Sequence, residues 1–230
     1  MGFGSGVNRL VSMSHDEEVL VILNLDVSFK ETPPFYIMAE AIQRGVFSCV
    51  GTSMLDDSGT RVAGRLPRLG LRMFLHDFGS DLDEGSSVGS SWQDVMAWDG
   101  AVHGGCFAVR VEDFRHVDGI DEALFLYAEE FDLSVKFRRV QFITGFLVSN
   151  AIIHASEGEA RPEKQFLNRY NLRFLAKRER LWVLFFALTL LLWFDLLRLR
   201  RLRHFKTLLS VNIPRPALLQ QLFPHYPSAL

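Results

Sequence analysis

Two strand ends and one helix start in this chain carry side chains that could act on a substrate together. Asp26 closes the apolar run that begins at Val19, and His154 closes a second run that begins at Ala151. A strand ending on a polar residue delivers that side chain to a sheet edge, where open α/β sheets bind their ligands. A carboxylate with an imidazole suits Mg²⁺ or Mn²⁺, and the nitrogen donor favours Mn²⁺. Each residue also has a purely local reading, Asp26 as an Asx turn and His154 as a solvent-facing ring. Glu129, Glu130 and Asp132 gather at the start of an amphipathic stretch. A carboxylate there can serve as a general base, or can simply complement the positive end of the helix dipole. Gly104-Gly105 interrupts the apolar run Ala101 to Arg110, which either admits a ligand or a second backbone or marks a β-bulge.

The surrounding pattern supplies the elements that must position these groups. Asp16 to Glu18 precede a continuous run of leucine and β-branched residues, which predicts a strand buried on both faces. Pro33-Pro34 end it. Phe35 to Arg44 then places Ile37, Met38, Ala41 and Ile42 at helical spacing, with Gly45 as its C-cap, and Val46 to Val50 returns as a strand. Asp56 to Gly59 is a turn signature, and the aperiodic mixture from Arg61 to Trp92 predicts a long mobile loop, either beside the site or a surface insertion. Glu112 to Val117 predicts a short helix, Asp118-Gly119 a turn, Tyr127 to Arg139 an amphipathic helix, and Gln141 to Val148 and Ala151 to His154 two strands. Helices alternating with strands give an α/β class without internal repeats.

Taken in order, Asn24-Leu25-Asp26 at a strand end, Gly104-Gly105-Cys106 opening a strand, Glu129-Glu130 at a helix start and His154 closing a strand form a pattern. It resembles the family 2 glycosyltransferases, in particular their rhamnosyltransferase-like branch. The resemblance implies a partial GT-A-like fold, a mixed sheet followed by C-terminal amphipathic or hydrophobic helices. It implies Asp26 and His154 as ligands of a divalent metal, Mn²⁺ or Mg²⁺, and Asn24, Asp26, Gly104 and Gly105 as donor-binding residues. Glu130 would be the general base, with Glu129 and Asp132 orienting the acceptor. The implied reaction is an inverting transfer of a sugar, typically rhamnose in this branch, from a nucleotide-diphospho-sugar to a glycan or lipid-linked acceptor. Two positions depart from the family: Leu25 stands where proline is usual, and Glu130, one methylene longer, where aspartate is usual. Gly2 to Arg9 resembles the glycine-rich segment that precedes the Asn-Pro-Asp strand by one helix, so the family's opening βαβ unit is expected to be missing. The missing unit and Glu130 together support a second reading, a catalytically incomplete, membrane-associated partner protein derived from a transferase.

Composition bounds the rest. A chain of 230 residues with 48% hydrophobic and 23% charged residues can bury one sizeable core. The expected organisation is a partial GT-A domain over 1–160, a helical membrane-associating segment over 161–213 and an irregular proline-containing tail over 214–230. Cys49 and Cys106 lie in apolar runs and read as buried thiols in a reducing compartment. There is no Walker lysine loop, and Gly2 to Gly6 has no strand before it, so a dinucleotide site is not expected. Basic residues do not alternate with stacking aromatics on a sheet, so no nucleic-acid partner is expected. The net charge of -2 divides unevenly, about +10 from Arg161 onward and about −12 before it. Leu181 to Phe194 is uncharged, and as a helix of about 21 Å it falls short of the roughly 30 Å hydrocarbon core. Arg178 and Arg180 precede it, Arg198, Arg200, Arg201 and Arg203 follow, and Trp182 and Trp193 sit near its ends. That arrangement predicts a helix lying in the cytoplasmic leaflet, its stripe continued by Leu199, Leu202, Phe205 and Leu209; a dimer or core helix is the other reading. With no signal peptide in view, the expected location is cytoplasmic, peripheral on the inner face of the cell membrane.

Overall fold

A computed structural model describes residues 2–62, 64–70, 87–154 and 162–200. The chain divides into two compact units, one from Gly2 to Gly158 and one from Glu159 on. In chain order the first holds helix α1 (Phe3–Met13), strands β1 (Val19–Leu23) and β2 (Val27–Phe29), helix α2 (Phe35–Gln43) and strands β3 (Cys49–Thr52), β4 (Met54–Leu55), β5 (Arg61–Val62) and β6 (Arg65–Leu66). After a 3-10 turn at Trp92–Asp94 come strands β7 (Met96–Ala97), β8 (Ala101–Val102) and β9 (Cys106–Arg110), helices α3 (Val111–His116) and α4 (Glu129–Arg139), and strands β10 (Thr144–Leu147) and β11 (Ile152–His154).

The main sheet runs β1-β9-β3-β10-β7, a second runs β2-β11-β4-β5, and β6 pairs with β8. Parallel and antiparallel neighbours mix: β10 is parallel to β3, whereas β9 is antiparallel to both β1 and β3. Alternation along β9 divides the core in two. Phe107 and Val109 join Val7, Phe114, Leu133 and Phe137 on the face of α1, α3 and α4. Cys106 and Ala108 join Met38, Ala41, Ile42 and Leu147 on the face of α2. The unit is thus a mixed α/β layer structure with mixed sheets.

One device carries the chain from the first sheet to the second. Strands β3 and β10 lie parallel, and their continuations β4 and β11 do as well. At the junction the buried Ser53 hydroxyl donates to the Ser149 carbonyl at 2.6 Å and accepts the Ser149 N–H at 2.7 Å. The two paths therefore cross together, and β11 is set down beside β2, with His154 opposite Val27.

Several expectations change. The Gly2 to Arg9 segment is mostly helix, because its glycines let α1 pack closely: a Cβ on Gly2 would lie 2.3 Å from the Phe125 carbonyl oxygen, and one on Gly4 would lie 2.5 Å from Ile120 Cγ2. Asn8 locks this contact, its amide donating to the Ile120 carbonyl at 2.9 Å and accepting the Ile120 N–H at 3.0 Å. β1 is an edge strand in which only Ile22 is fully buried, rather than a strand covered on both faces. The expected loop from Arg61 to Trp92 contains β5 and β6 in its described part, and 71–86 lies outside the described residues.

The second unit is described through α5 (Pro162–Arg178) and α6 (Trp182–Arg200). A Schellman turn ends α5: Arg180 is left-handed at φ 58, the Leu181 N–H reaches the Ala176 carbonyl at 2.8 Å and the Arg180 N–H reaches Lys177 at 3.1 Å. The two helices then pair through buried Leu172, Leu175, Leu184 and Leu188. Arg173 lies over the Phe185 ring and donates to Thr189 at 2.7 Å, and Arg169 meets Asp195 at 2.5 Å. Trp182, Val183, Phe186, Leu190, Trp193 and Phe194 are each more than half exposed along α6. Among the described residues no helix is long and apolar enough to cross a membrane. Leu202, Phe205, Leu209 and the tail from 214 lie outside the described residues, as does the side chain of Leu199.

Candidate active site

Asp26 and His154 are brought together by the β2–β11 ladder. Asp26 lies in the turn between β1 and β2, directly before Val27, and Val27 is the partner of His154. Their meeting therefore belongs to the second sheet; the end of β1 alone would not produce it. His154 Nε2 stands 3.4 Å from Asp26 Oδ1. The imidazole atom is buried and accepts or donates no hydrogen bond among the described residues, while the carboxylate is half exposed. A buried imidazole nitrogen without a hydrogen bond has bonding capacity still to be satisfied.

The turn itself is fixed through its backbone. Asn24 donates its N–H to the Gly105 carbonyl at 3.0 Å and accepts the Val27 N–H at 3.3 Å. Asn24 thus ties the Asp26 turn to the Gly-Gly segment.

Gly104 and Gly105 are glycine for lack of room. A Cβ on Gly105 would meet Met54 Sδ at 2.9 Å and both His103 Nδ1 and His154 Cδ2 at 3.0 Å; one on Gly104 would meet Glu130 Oε1 at 3.0 Å. The bare backbone lets the two histidines and Glu130 close around it. The Gly105 N–H donates to His103 Nδ1 at 2.9 Å, and the Gly104 N–H donates to Glu130 Oε1 at 3.1 Å. His103, which the sequence pattern did not single out, packs edge-on against His154 with ring centroids 5.3 Å apart. Enclosure pushes its pKa below the ordinary histidine value, partly opposed by Glu130 and Asp26 and assisted by His154.

The acidic cluster at the start of α4 separates into three environments. Tyr127 and Ala128 precede the helix in the left-handed region, at φ 70 and φ 72, a sequence of strained residues that turns the chain sharply into α4. Glu130 turns toward Gly104. Glu129 is only 2% exposed, and burial, with help from Glu130 and Asp132, raises its pKa to about 8. Asp132 is fully buried, accepts the Asp121 N–H at 2.7 Å and pairs with Lys136 at 3.1 Å. Asp132 therefore holds the 118–124 turn and faces no open acceptor site, contrary to the orienting role expected for it. Glu129, buried beside Gly4 of α1, is likewise withdrawn from solvent.

The donor set tests positively for a divalent ion in part. One carboxylate oxygen and one imidazole nitrogen are donor types that suit Mn²⁺ or Mg²⁺, and they stand 3.4 Å apart. Among the described residues no group of three His, Cys, Asp or Glu side chains could hold a metal by itself. The remaining positions would fall to water and substrate oxygens, the usual arrangement for Mg²⁺ with phosphates.

No family model matches the sequence, and no curated protein does. Among solved structures the chain is similar to the crystal structure of GalNAc-T7 with UDP, GalNAc and Mn²⁺, with a TM-score of 0.45 and 14% identity. The similarity covers 70% of this chain and 32% of that one, so this chain spans about a third of that structure's length.

Proposed function

We propose that this chain is a GT-A-like glycosyltransferase domain that moves a sugar from a nucleotide-diphospho-sugar to a hydroxyl of a glycan or lipid-linked acceptor, with inversion. The observation that carries the reading is the meeting of three segments, remote in sequence, around the stretch His103 to Gly105: the Asp26 turn, the start of α4 and the end of β11. Their order along the chain is also the order of the family 2 motifs. Rhamnose from a dTDP donor is the first chemistry to try, since the motifs most resemble that branch.

The roles follow from position. Asp26 and His154 would hold Mn²⁺ or Mg²⁺, which supplies positive charge to the departing diphosphate. Glu130 Oε1 is anchored by the Gly104 N–H, which leaves Oε2 to take the proton of the acceptor hydroxyl. As that proton leaves, the acceptor oxygen bonds to the anomeric carbon, the carbon–phosphate oxygen bond breaks, and its electron pair departs with the nucleoside diphosphate. Gly104 and Gly105 allow the donor to approach the backbone.

The test is release of nucleoside diphosphate from a panel of nucleotide-diphospho-sugars in the presence of Mn²⁺ and candidate acceptors. Glu130→Gln should abolish transfer and leave donor binding nearly intact, because the amide keeps the shape and cannot take a proton. Unchanged turnover in that variant would end the assignment. Asp26→Ala and His154→Ala should each raise the Mn²⁺ requirement by about tenfold or more.

We also propose a peripheral location on the cytoplasmic face of a membrane. Its support is the exposed stripe Trp182, Phe186, Leu190 and Trp193 of α6, with exposed Lys177 and Arg180 ahead of it and the arginines from Arg198 behind it in sequence. That seat suits a lipid-linked acceptor.

A further inference from the structure

We infer that His103 binds the diphosphate portion of the donor, offering a hydrogen bond from Nε2–H beside the Asp26–His154 pair. The inference rests on the transferase reading and deepens it. His103 Nδ1 accepts the Gly105 N–H at 2.9 Å, so that nitrogen carries no proton and the neutral ring holds its proton on Nε2. Among the described residues nothing accepts a hydrogen bond from Nε2, which leaves the donor edge of the ring available to a ligand. The ring is not free to turn away. Its backbone N–H is tied to the Gly64 carbonyl at 2.8 Å, its side chain to Gly105, and its ring packs in a T-shaped contact with His154.

The surroundings select the ligand. An N–H donor on a partly exposed ring, next to a carboxylate–imidazole pair and a general base, needs an oxygen acceptor that comes with the substrate. Diphosphate oxygens held by an ion on Asp26 and His154 would lie next to the His103 ring, since His103 and His154 are in contact. A hydrogen bond to a charged oxygen is about twice as strong as one between neutral groups, and the donor here is already oriented. The chain would therefore recognise the leaving group through two devices, an ion on one side and a fixed N–H on the other.

Two substitutions separate the two ring nitrogens. His103→Asn keeps an acceptor where Nδ1 stands, preserving the Gly105 bond, and removes the Nε2 donor. His103→Gln keeps a donor near Nε2 and loses the Gly105 acceptor. Binding of Mn²⁺ alone is followed by loss of the free-ion paramagnetic resonance signal, and binding of inorganic pyrophosphate to the Mn²⁺-loaded chain by calorimetry. The expected result is unchanged Mn²⁺ affinity in both variants, a loss of about tenfold or more in pyrophosphate affinity for His103→Asn, and at most about threefold for His103→Gln. Pyrophosphate affinity in His103→Asn equal to that of the unaltered chain would overturn this inference and leave the transferase reading standing. Loss of Mn²⁺ affinity in His103→Asn, or equal pyrophosphate losses in both variants, would overturn it too, by showing support of the metal pair or of the fold. Failure of the unaltered chain to bind pyrophosphate with Mn²⁺ would end both readings, and is recognised because no substitution is involved. If circular dichroism shows His103→Asn unfolded, His103→Gln decides alone: a loss well beyond about threefold overturns the inference.

Discussion

The buried carboxyl group of Glu129 makes the stability of the fold depend on pH. Its pKa stands at about 8 in the folded chain, against an ordinary value of 4.5 that applies once the chain unfolds. Between those values the folded state holds a proton that the unfolded state releases, so stability is greatest at the acid end and falls as pH rises toward 8. Glu129→Gln removes that dependence. Urea unfolding should show the variant more stable than the natural chain at pH 8 by on the order of 4 kcal/mol, with the difference nearly vanishing by pH 4.5; parallel curves for the two proteins would count against a buried protonated carboxyl. Gly105→Ala is the sharpest probe of the site's crowding. Its methyl would press on Met54, His103 and His154 together, and it should lower stability by roughly 1–3 kcal/mol and weaken Mn²⁺ binding by displacing His154. Residue types drew attention to Asp26, His154 and the carboxylates that open α4, because each lies at the end or start of an element, and only the family resemblance chose Glu130 among the last. The same reasoning could not separate Asp132 from its neighbours, since a helix start rich in carboxylates looks alike whether a side chain meets solvent, Gly104 or the Asp121 backbone. His103 left only one trace, its place directly before Gly104-Gly105, and its role needs the chain to fold back on Met54 and His154.

At the scale of elements, the crossing at Ser53 and Ser149 decides where β11 and its terminal histidine come to rest. Ser53→Ala removes a buried hydroxyl that both donates and accepts, leaving the Ser149 N–H and carbonyl without those partners. The expected loss is about 1–3 kcal/mol by chemical denaturation, together with weaker Mn²⁺ binding as β11 shifts against β2. Normal stability with normal Mn²⁺ affinity would mean that the ladder alone holds the register. Helix α2 was legible because Met38, Ala41 and Ile42 repeat with the helical period and Gly45 follows at φ 79 to end it. Helices α3 and α4 were legible for similar reasons. α1 was not: Gly4 and Gly6 within it argue against a helix, and close packing of Gly2 on Phe125 and of Gly4 on Ile120 offsets that preference. Nor could the apolar run of β1 report its place at a sheet edge, because the identity of its neighbour β9 is a tertiary fact.

Across the whole chain, charge and apolar exposure separate along the sequence, with an acidic front and a basic region from Arg161 onward. If α6 rests on a bilayer, each basic residue near an anionic surface contributes on the order of 1 kcal/mol, a part that salt weakens. Changing Arg198, Arg200, Arg201 and Arg203 together to Gln should release much of the protein from anionic vesicles in flotation experiments. Equal binding to neutral and anionic lipid, or a Gln variant that only detergent extracts, would exclude an interfacial seat. The two thiols of the first unit have a different use. Cys49 on β3 faces the layer of α1, α3 and α4, Cys106 on the adjacent β9 faces the layer of α2, and burial raises both pKa values, that of Cys106 to about 12. Neither can react with an alkylating reagent until its own helical layer lifts. The pair is thus a two-sided clock for native-state opening: mass spectrometry of each modified cysteine times the departure of one layer, and because both layers share a single sheet the two labelling rates should coincide. Faster labelling at Cys106 would reveal α2 as a separately opening lid over the sheet.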